Sequence, residues 1–281
     1  MRIVLIIVAL VGYASGQEPA LKFGTPINLG SPINTPGFDG GPSLSADGLT
    51  LYLASNRPDG VGRDDLWVSS RKSTHDAWQT PVNLGATINS AEGDASPSIS
   101  ADGLELYFDS ARSGGQGSGD IWVTTRASTS DAWGTPRNLG PTINSSSADS
   151  VPKLSSDGLS LFFASSRPGG PGMRDVWVAR RTSRAEPWQA PINLGAAVNS
   201  PAHEWCPGIS PDGLTVIIQS DRAGGLGGDD LWATTRATLS SPWTAVVHLG
   251  AGINTPISRR IRDLKVHQRG TQRLAMRVER Q

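Results

Sequence analysis

Apolar and polar residues alternate with a period of two through most of this chain. Leu104, Leu106 and Phe108 alternate with Glu105, Tyr107 and Asp109, the pattern of a pleated strand whose successive side chains point to opposite faces. Residues 49–55, 159–165 and 214–220 keep the same alternation. An Asp-Gly pair precedes each run and follows a short stretch such as residues 97–100. Asp-Gly between such runs signals a tight hairpin, because glycine accepts positive φ. A Gly-rich connection comes next (58–63, 113–119, 168–174 and 223–228), followed by a third run such as 120–125. A fourth run starts at Trp78, Trp133, Trp188 or Trp243 and ends at Asn-Leu-Gly, or at His248, Leu249 and Gly250 in the last copy.

The whole set recurs at a constant step of 55 residues. Ser45, Ala46, Asp47 and Gly48 return as Ser100 to Gly103, Ser155 to Gly158 and Ser210 to Gly213. Asp65 and Trp67 return as Asp120 and Trp122, Asp175 and Trp177, and Asp230 and Trp232, so that eight of the nine tryptophans are repeat positions. A long period of this kind marks units that cannot bury their apolar faces alone. Four short antiparallel strands per unit, repeated radially, predict an all-β fold, a β-propeller with four recognisable blades at about residues 35–89, 90–144, 145–199 and 200–254. The tryptophans are read as wedges between neighbouring sheets. Each buries ~150–250 Å², worth a few kcal/mol before entropy is charged at ~25 cal/mol/Å².

Both ends depart from the repeat. Asn28, Leu29 and Gly30 match the end of a unit, so residues 23–30 predict an isolated closing strand and leave an incomplete five-bladed ring as an alternative. Propellers close in this way because closure removes sheet edges. After Pro256 the register fails, and residues 257–281 hold eight Lys or Arg against two acids, where residues 17–256 hold 16 and 23. Three accounts fit this segment: a genuine basic tail, a degenerate closing hairpin (263–268 with 273–279), or a reading-frame change that replaced a fifth blade. The abruptness of the failure favours the last.

Composition adds little chemistry. Residues 1–16 have Arg2, an apolar stretch from Ile3 to Val11 and small residues at Ala14 and Gly16, which predicts a signal peptide and an exported chain, periplasmic or extracellular. The stretch is too short for a membrane-spanning helix. The single cysteine, Cys206, excludes an internal disulfide. Zero net charge leaves no nucleic-acid footprint outside residues 257–281.

The string DASPSISADGLELYFDSARSGGQGSGDIWVTTR, followed by WGTPRNLGPTINS, resembles the WD-like propeller repeat of bacterial exported proteins, the type found in TolB and ahead of OmpA-like domains. The resemblance covers residues 23–256. It implies a binding or scaffolding module at the cell envelope. No OmpA-like peptidoglycan-binding segment accompanies it here, which puts cell-wall anchoring in doubt.

Candidate ligand-binding residues come from two periodic rings and one break in the period. An acid stands six residues before each turn serine (Asp39, Asp94, Asp149, Glu204), and an arginine follows each second strand (Arg57, Arg112, Arg167, Arg222). The rings are read in two ways: each acid pairs with a neighbouring Arg and locks blade to blade, or the rings form a mouth for a polar ligand. Blade four alone carries His203, Glu204, Trp205 and Cys206, and blade one sets Phe38 beside Asp39. Trp205 with His203 forms an aromatic platform for a sugar or peptide, or else drift in a loop. His203 and Cys206 do not make a zinc site without further ligands, and the Asp-rich connection 59–65 lacks calcium-loop spacing, so no metal or cofactor is expected. No nucleophile triad is recognisable. The reading is therefore a monomeric, non-catalytic module for a protein, peptide or glycan ligand. The alternative is a carbohydrate-active hydrolase or lyase using acids such as Asp149 and Glu204.

Overall fold

The computed structural model describes residues 6–11, 21–23, 27–256 and 265–267. Four antiparallel four-stranded sheets stand as the blades of a β-propeller, and among the described residues there are no helices. The strands β1 (Ile6–Val11) and β2 (Leu21–Phe23) come first. Blade one is β3 (Asp39–Leu44), β4 (Thr50–Ser55), β5 (Asp65–Ser70) and β6 (Val82–Asn83). Blade two is β7 (Asp94–Ile99), β8 (Glu105–Ser110), β9 (Asp120–Thr125) and β10 (Arg137–Asn138). Blade three is β11 (Asp149–Leu154), β12 (Ser160–Ser165), β13 (Asp175–Arg180) and β14 (Ile192–Asn193). Blade four is β15 (Glu204–Ile209), β16 (Thr215–Ser220), β17 (Asp230–Thr235) and β18 (Val247–His248).

The first strands β3, β7, β11 and β15 pack against one another in sequence and so line the axis. A three-stranded sheet in the order β19, β1, β2, with β19 at Lys265–His267, places β19 against both β15 and β3. β19 pairs parallel to β1, unlike the first two strands of every blade, so this sheet is not a fifth copy of the repeat. Of the hairpin expected at 263–268 and 273–279, only Lys265–His267 is described, and 273–279 lies outside the described residues. The expected leader is likewise described only at Ile6–Val11, where it forms β1.

Two element boundaries differ from the sequence reading. First strands begin three residues earlier than 97–100 suggests, because Asp94, Ala95 and Ser96 are small or polar and carry no alternation. Each also carries a register shift at its third residue, where Gly41, Ser96, Val151 and Cys206 all take positive φ, the mark of a β-bulge. Fourth strands are only two residues long, and Trp78, Trp133, Trp188 and Trp243 lie ahead of them.

Packing between sheets follows the repeat. Leu66, Ile88, Leu106, Phe108 and Trp122 bury together across blades one and two, and Val176, Val198, Val216, Ile218 and Trp232 do so across blades three and four. The four Asp-x-Trp tryptophans are at most 8% exposed, which assigns them to the core. Tyr52 meets Trp133 edge-on at 6.3 Å, Tyr107 meets Trp188 at 6.3 Å and Phe162 meets Trp243 at 6.4 Å, each pair joining one blade to the next. Asn28 and Asn34 reproduce the side-chain contact of Asn83 and Asn89, and Ile33 sits in the core of blade one.

Candidate functional site

The antiparallel register creates the acid and arginine rings. Asp39 opposes Ser55, Asp94 opposes Ser110, Asp149 opposes Ser165 and Glu204 opposes Ser220, so an arginine two residues past each serine returns to the acid at the same end of the blade. The pairs are Arg57 with Asp39 at 2.8 Å, Arg112 with Asp94 at 2.5 Å, Arg167 with Asp149 at 2.6 Å and Arg222 with Glu204 at 2.8 Å. Each acid thus pairs with the arginine of its own repeat. The neighbouring blade is engaged by the arginines, through the Ile88, Ile143 and Val198 carbonyls, and by the backbone: Asp94 N–H donates to the Asp64 carbonyl, Asp149 N–H to Gly119 and Glu204 N–H to Arg174.

The acids are saturated. Asp94 accepts from the Ser90 amide and hydroxyl as well as from Arg112, and Asp149 accepts in the same way from Ser145 and Arg167. Glu204 accepts from Ser200, Ser220 and Arg222, and it and Asp94 and Asp149 are 0% exposed. Burial pushes the Glu204 carboxyl above its ordinary value, opposed by the hydrogen bonds from Ser200 and the charge of Arg222. The arginines are equally committed: Arg112 also donates to the Ile88 carbonyl at 2.6 Å and lies 5.2 Å over Trp122.

A second acid ring was legible only as half of the Asp-x-Trp motif. Asp65, Asp120 and Asp230 accept backbone N–H groups from the Gly-rich connections, through Val61 and Gly62, Gln116 and Gly117, and Leu226 and Gly227. A Cβ on Gly115 would stand 1.7 Å from Asp120 Oδ2, and one on Gly170 would stand 1.8 Å from Asp175 Oδ2, which explains the glycines. Burial raises the carboxyls of Asp120 and Asp175 against these amide bonds.

The break in symmetry lies at the same strand ends, between blades three and four. His203 stacks on Trp205 with ring centroids 5.5 Å apart and planes 26° from parallel, and the Arg174 guanidinium lies 4.0 Å from the Trp205 ring centroid. Arg174 also donates to the Ser150 hydroxyl at 3.0 Å, and the His203 amide donates to Asp221 at 2.8 Å. His203 Nδ1 and Gln219 Oε1 are buried without a hydrogen-bond partner, and Gln219 stands directly across from Trp205. Small residues hold these places elsewhere: Gly40, Ala95 and Ser150 for Trp205, and Gly93 and Ala148 for His203. The remaining counterpart, Phe38, is 9% exposed in the core between blades one and two, away from any ligand role. Sequence reasoning missed Arg174, Gln219 and Asp221, although each also breaks its period, with Asp64, Gly119 and Asp229 at the positions equivalent to Arg174. Among the described residues, no group of three or more His, Cys, Asp or Glu could hold a metal ion, and no helix is long and apolar enough to cross a membrane.

No protein-family model matches the chain, and no curated protein matches it in sequence. Solved structures match its fold. The chain is similar to a putative TolB from Agrobacterium tumefaciens at 16% identity and a TM-score of 0.51, covering 88% of this chain and 78% of that one. TolB from Acinetobacter baumannii matches at 13% identity and a TM-score of 0.52, with 87% of this chain covered, and the chain spans about half (52%) of that protein's length. A thermostable family-43 glycoside hydrolase matches at 12% identity and a TM-score of 0.53, covering 80% of this chain and 76% of that one. Identities this low establish a shared β-propeller architecture, which hosts both binding proteins and glycosidases.

Proposed function

We propose that the chain is an exported, non-catalytic propeller that binds a protein, peptide or glycan on the strand ends bearing the acid and arginine rings, centred on His203 and Trp205. The observation that carries this reading is the contrast between the two kinds of residue there. Asp94, Asp149 and Glu204 and their arginines spend their hydrogen-bonding capacity on each other, on serine hydroxyls and on the backbone. The aperiodic group instead presents a half-buried Trp205 between a cation and an imidazole, beside buried polar atoms with no partner. Such atoms favour a polar ligand, since leaving them unmatched costs ~1–3 kcal/mol each.

Replacing His203 and Trp205 by alanine and probing glycan and peptide arrays tests this. Lost binding with unchanged thermal stability supports the site; lost stability with retained binding moves it elsewhere. The hydrolase reading draws on the raised Glu204 carboxyl, a property of general acids. It requires product release from polysaccharides that Glu204→Gln abolishes. The absence of any release keeps the binding reading.

A further inference from the structure

A cleft of about 550 Å³ opens between blades three and four on the opposite face of the disc, where the Ser-x-Asp-Gly turns lie. It is lined by Arg180, Arg236, Asp157 and Asp212 around an apolar wall of Phe162 and Leu239. The three interfaces of the repeat are built on a common plan here, and comparing them shows what this cleft lacks. An arginine at the end of each third strand stacks on the tryptophan of its own blade: Arg126 on Trp133 at 4.2 Å, Arg181 on Trp188 at 4.4 Å and Arg236 on Trp243 at 4.4 Å. Its Nε donates to the turn glycine, at Gly103, Gly158 or Gly213.

Toward the preceding blade the interfaces diverge. Between blades one and two, Arg126 lies beside the Tyr52 hydroxyl. Between blades two and three, Arg181 donates to Glu105 at 3.1 Å, and Arg184 bridges Asp102 and Glu105. Between blades three and four all but one of these partners are replaced. The tyrosine position is Phe162, the Glu105 position is Ser160 and the Arg184 position is Leu239, while Asp157 keeps the place of Asp102. Arg236 is 9% exposed, and its Nε and Nη1 are held by the Gly213 and Leu239 carbonyls. Blade three adds a second, exposed cation at Arg180, where the other blades carry Ser70, Thr125 and Thr235. Burial and the nearby Arg180 push the Arg236 guanidinium below its ordinary value, with Asp157 opposing. A desolvated cation facing a second cation is stabilised by an incoming anion.

We infer that this cleft binds a small zwitterion with an apolar side chain, a free α-amino acid. Its carboxylate takes the place of Glu105 on Arg236 and Arg180. Its ammonium takes the place of Arg184 on Asp157, and its side chain lies on Phe162 and Leu239. The ion pair at the interface of blades two and three is the internal template for that ligand.

The test uses the full chain and isothermal titration with L-leucine, comparing 4-methylpentanoate, which lacks the ammonium, and 3-methylbutylamine, which lacks the carboxylate. Leucine is expected to bind, and each single-charge analogue at least tenfold more weakly. The double variant Ser160→Glu with Leu239→Arg installs the blade-two ion pair in the cleft. It is expected to abolish leucine binding while keeping the melting temperature at or above that of the parent. Leu239→Ala, which enlarges the cleft and leaves Arg236 in place, keeps charge recognition and serves if the double variant does not fold. No leucine binding by the parent, equal binding of leucine and 4-methylpentanoate, or leucine binding undiminished in the double variant each overturns the inference. This cleft lies on the other face from His203 and Trp205, so their alanine variants should leave leucine binding intact.

Discussion

Arg112 uses its side chain three ways: on the Asp94 carboxylate, on the Ile88 carbonyl and over the face of Trp122. The same arrangement recurs for Arg167 with Asp149, Ile143 and Trp177, in a setting where the carboxylate is fully buried. Removing one member of such a buried pair leaves an uncompensated charge, so Asp149→Ala should destabilise by about 3–5 kcal/mol, read from urea denaturation. An exposed pair would give less than ~1 kcal/mol, and a loss that small would refute the structural role. Carboxyls of opposite shift give a pH signature. The Asp120, Asp175 and Glu204 carboxyls are raised by burial, so folding favours their protonated forms. Their contribution is full below the unfolded values of 3.8 and 4.5 and declines as pH rises through the folded values. Asp102, held down to about 2 by Arg184, contributes the reverse: its share is present above 3.8 and is lost as pH falls toward 2. Asp120→Asn with Asp175→Asn should flatten the decline of the urea midpoint as pH rises above 3.8; an unchanged slope contradicts the assignment.

At the level of elements, much of each blade is written in the sequence, because hairpin chemistry is local. Ser100 Oγ donates to Asp102 at 2.6 Å, Glu105 N–H donates back to Ser100 Oγ at 2.9 Å, and Gly103 takes φ 75°, so a four-residue string encodes the turn. Second and third strands alternate cleanly, and their pairing follows. First strands were harder to read: their residues are small, and their bulges put Val151 and Cys206 into a left-handed conformation that no propensity announces. The partner of each acid was also illegible, because it depends on the register of Asp39 against Ser55 and not on distance along the chain. The Gly-rich connections make a sharp prediction. Gly115→Ala forces a Cβ to 1.7 Å from Asp120 Oδ2 and should destabilise, whereas Gly119→Ala meets nothing within 4 Å. At a compatible site of that kind, alanine stabilises by about 0.4–1 kcal/mol through the unfolded chain. Thermal melting of the two variants checks the contrast, and equal losses would contradict it.

Across the whole molecule, the periodic residues build the ring and the aperiodic ones concentrate where blades three and four meet. His203, Trp205 and Arg174 lie on one face of that interface, and Arg180, Ser160 and Leu239 lie on the other. Repetition was readable as fold, since a fixed period demands a fixed packing solution. The sites were only partly readable, since Trp205 stood out by residue type whereas Ser160 and Leu239 matter only because Glu105 and Arg184 hold their places one blade earlier. Both site proposals therefore rest on the ring and its register. A crystal structure of the chain tests that ring most directly. The expected result is four four-stranded sheets about one axis, with Arg57, Arg112, Arg167 and Arg222 each bonded to the acid of its own repeat. Sheets without a common axis, or those arginines turned to the acids of adjacent blades, would contradict it.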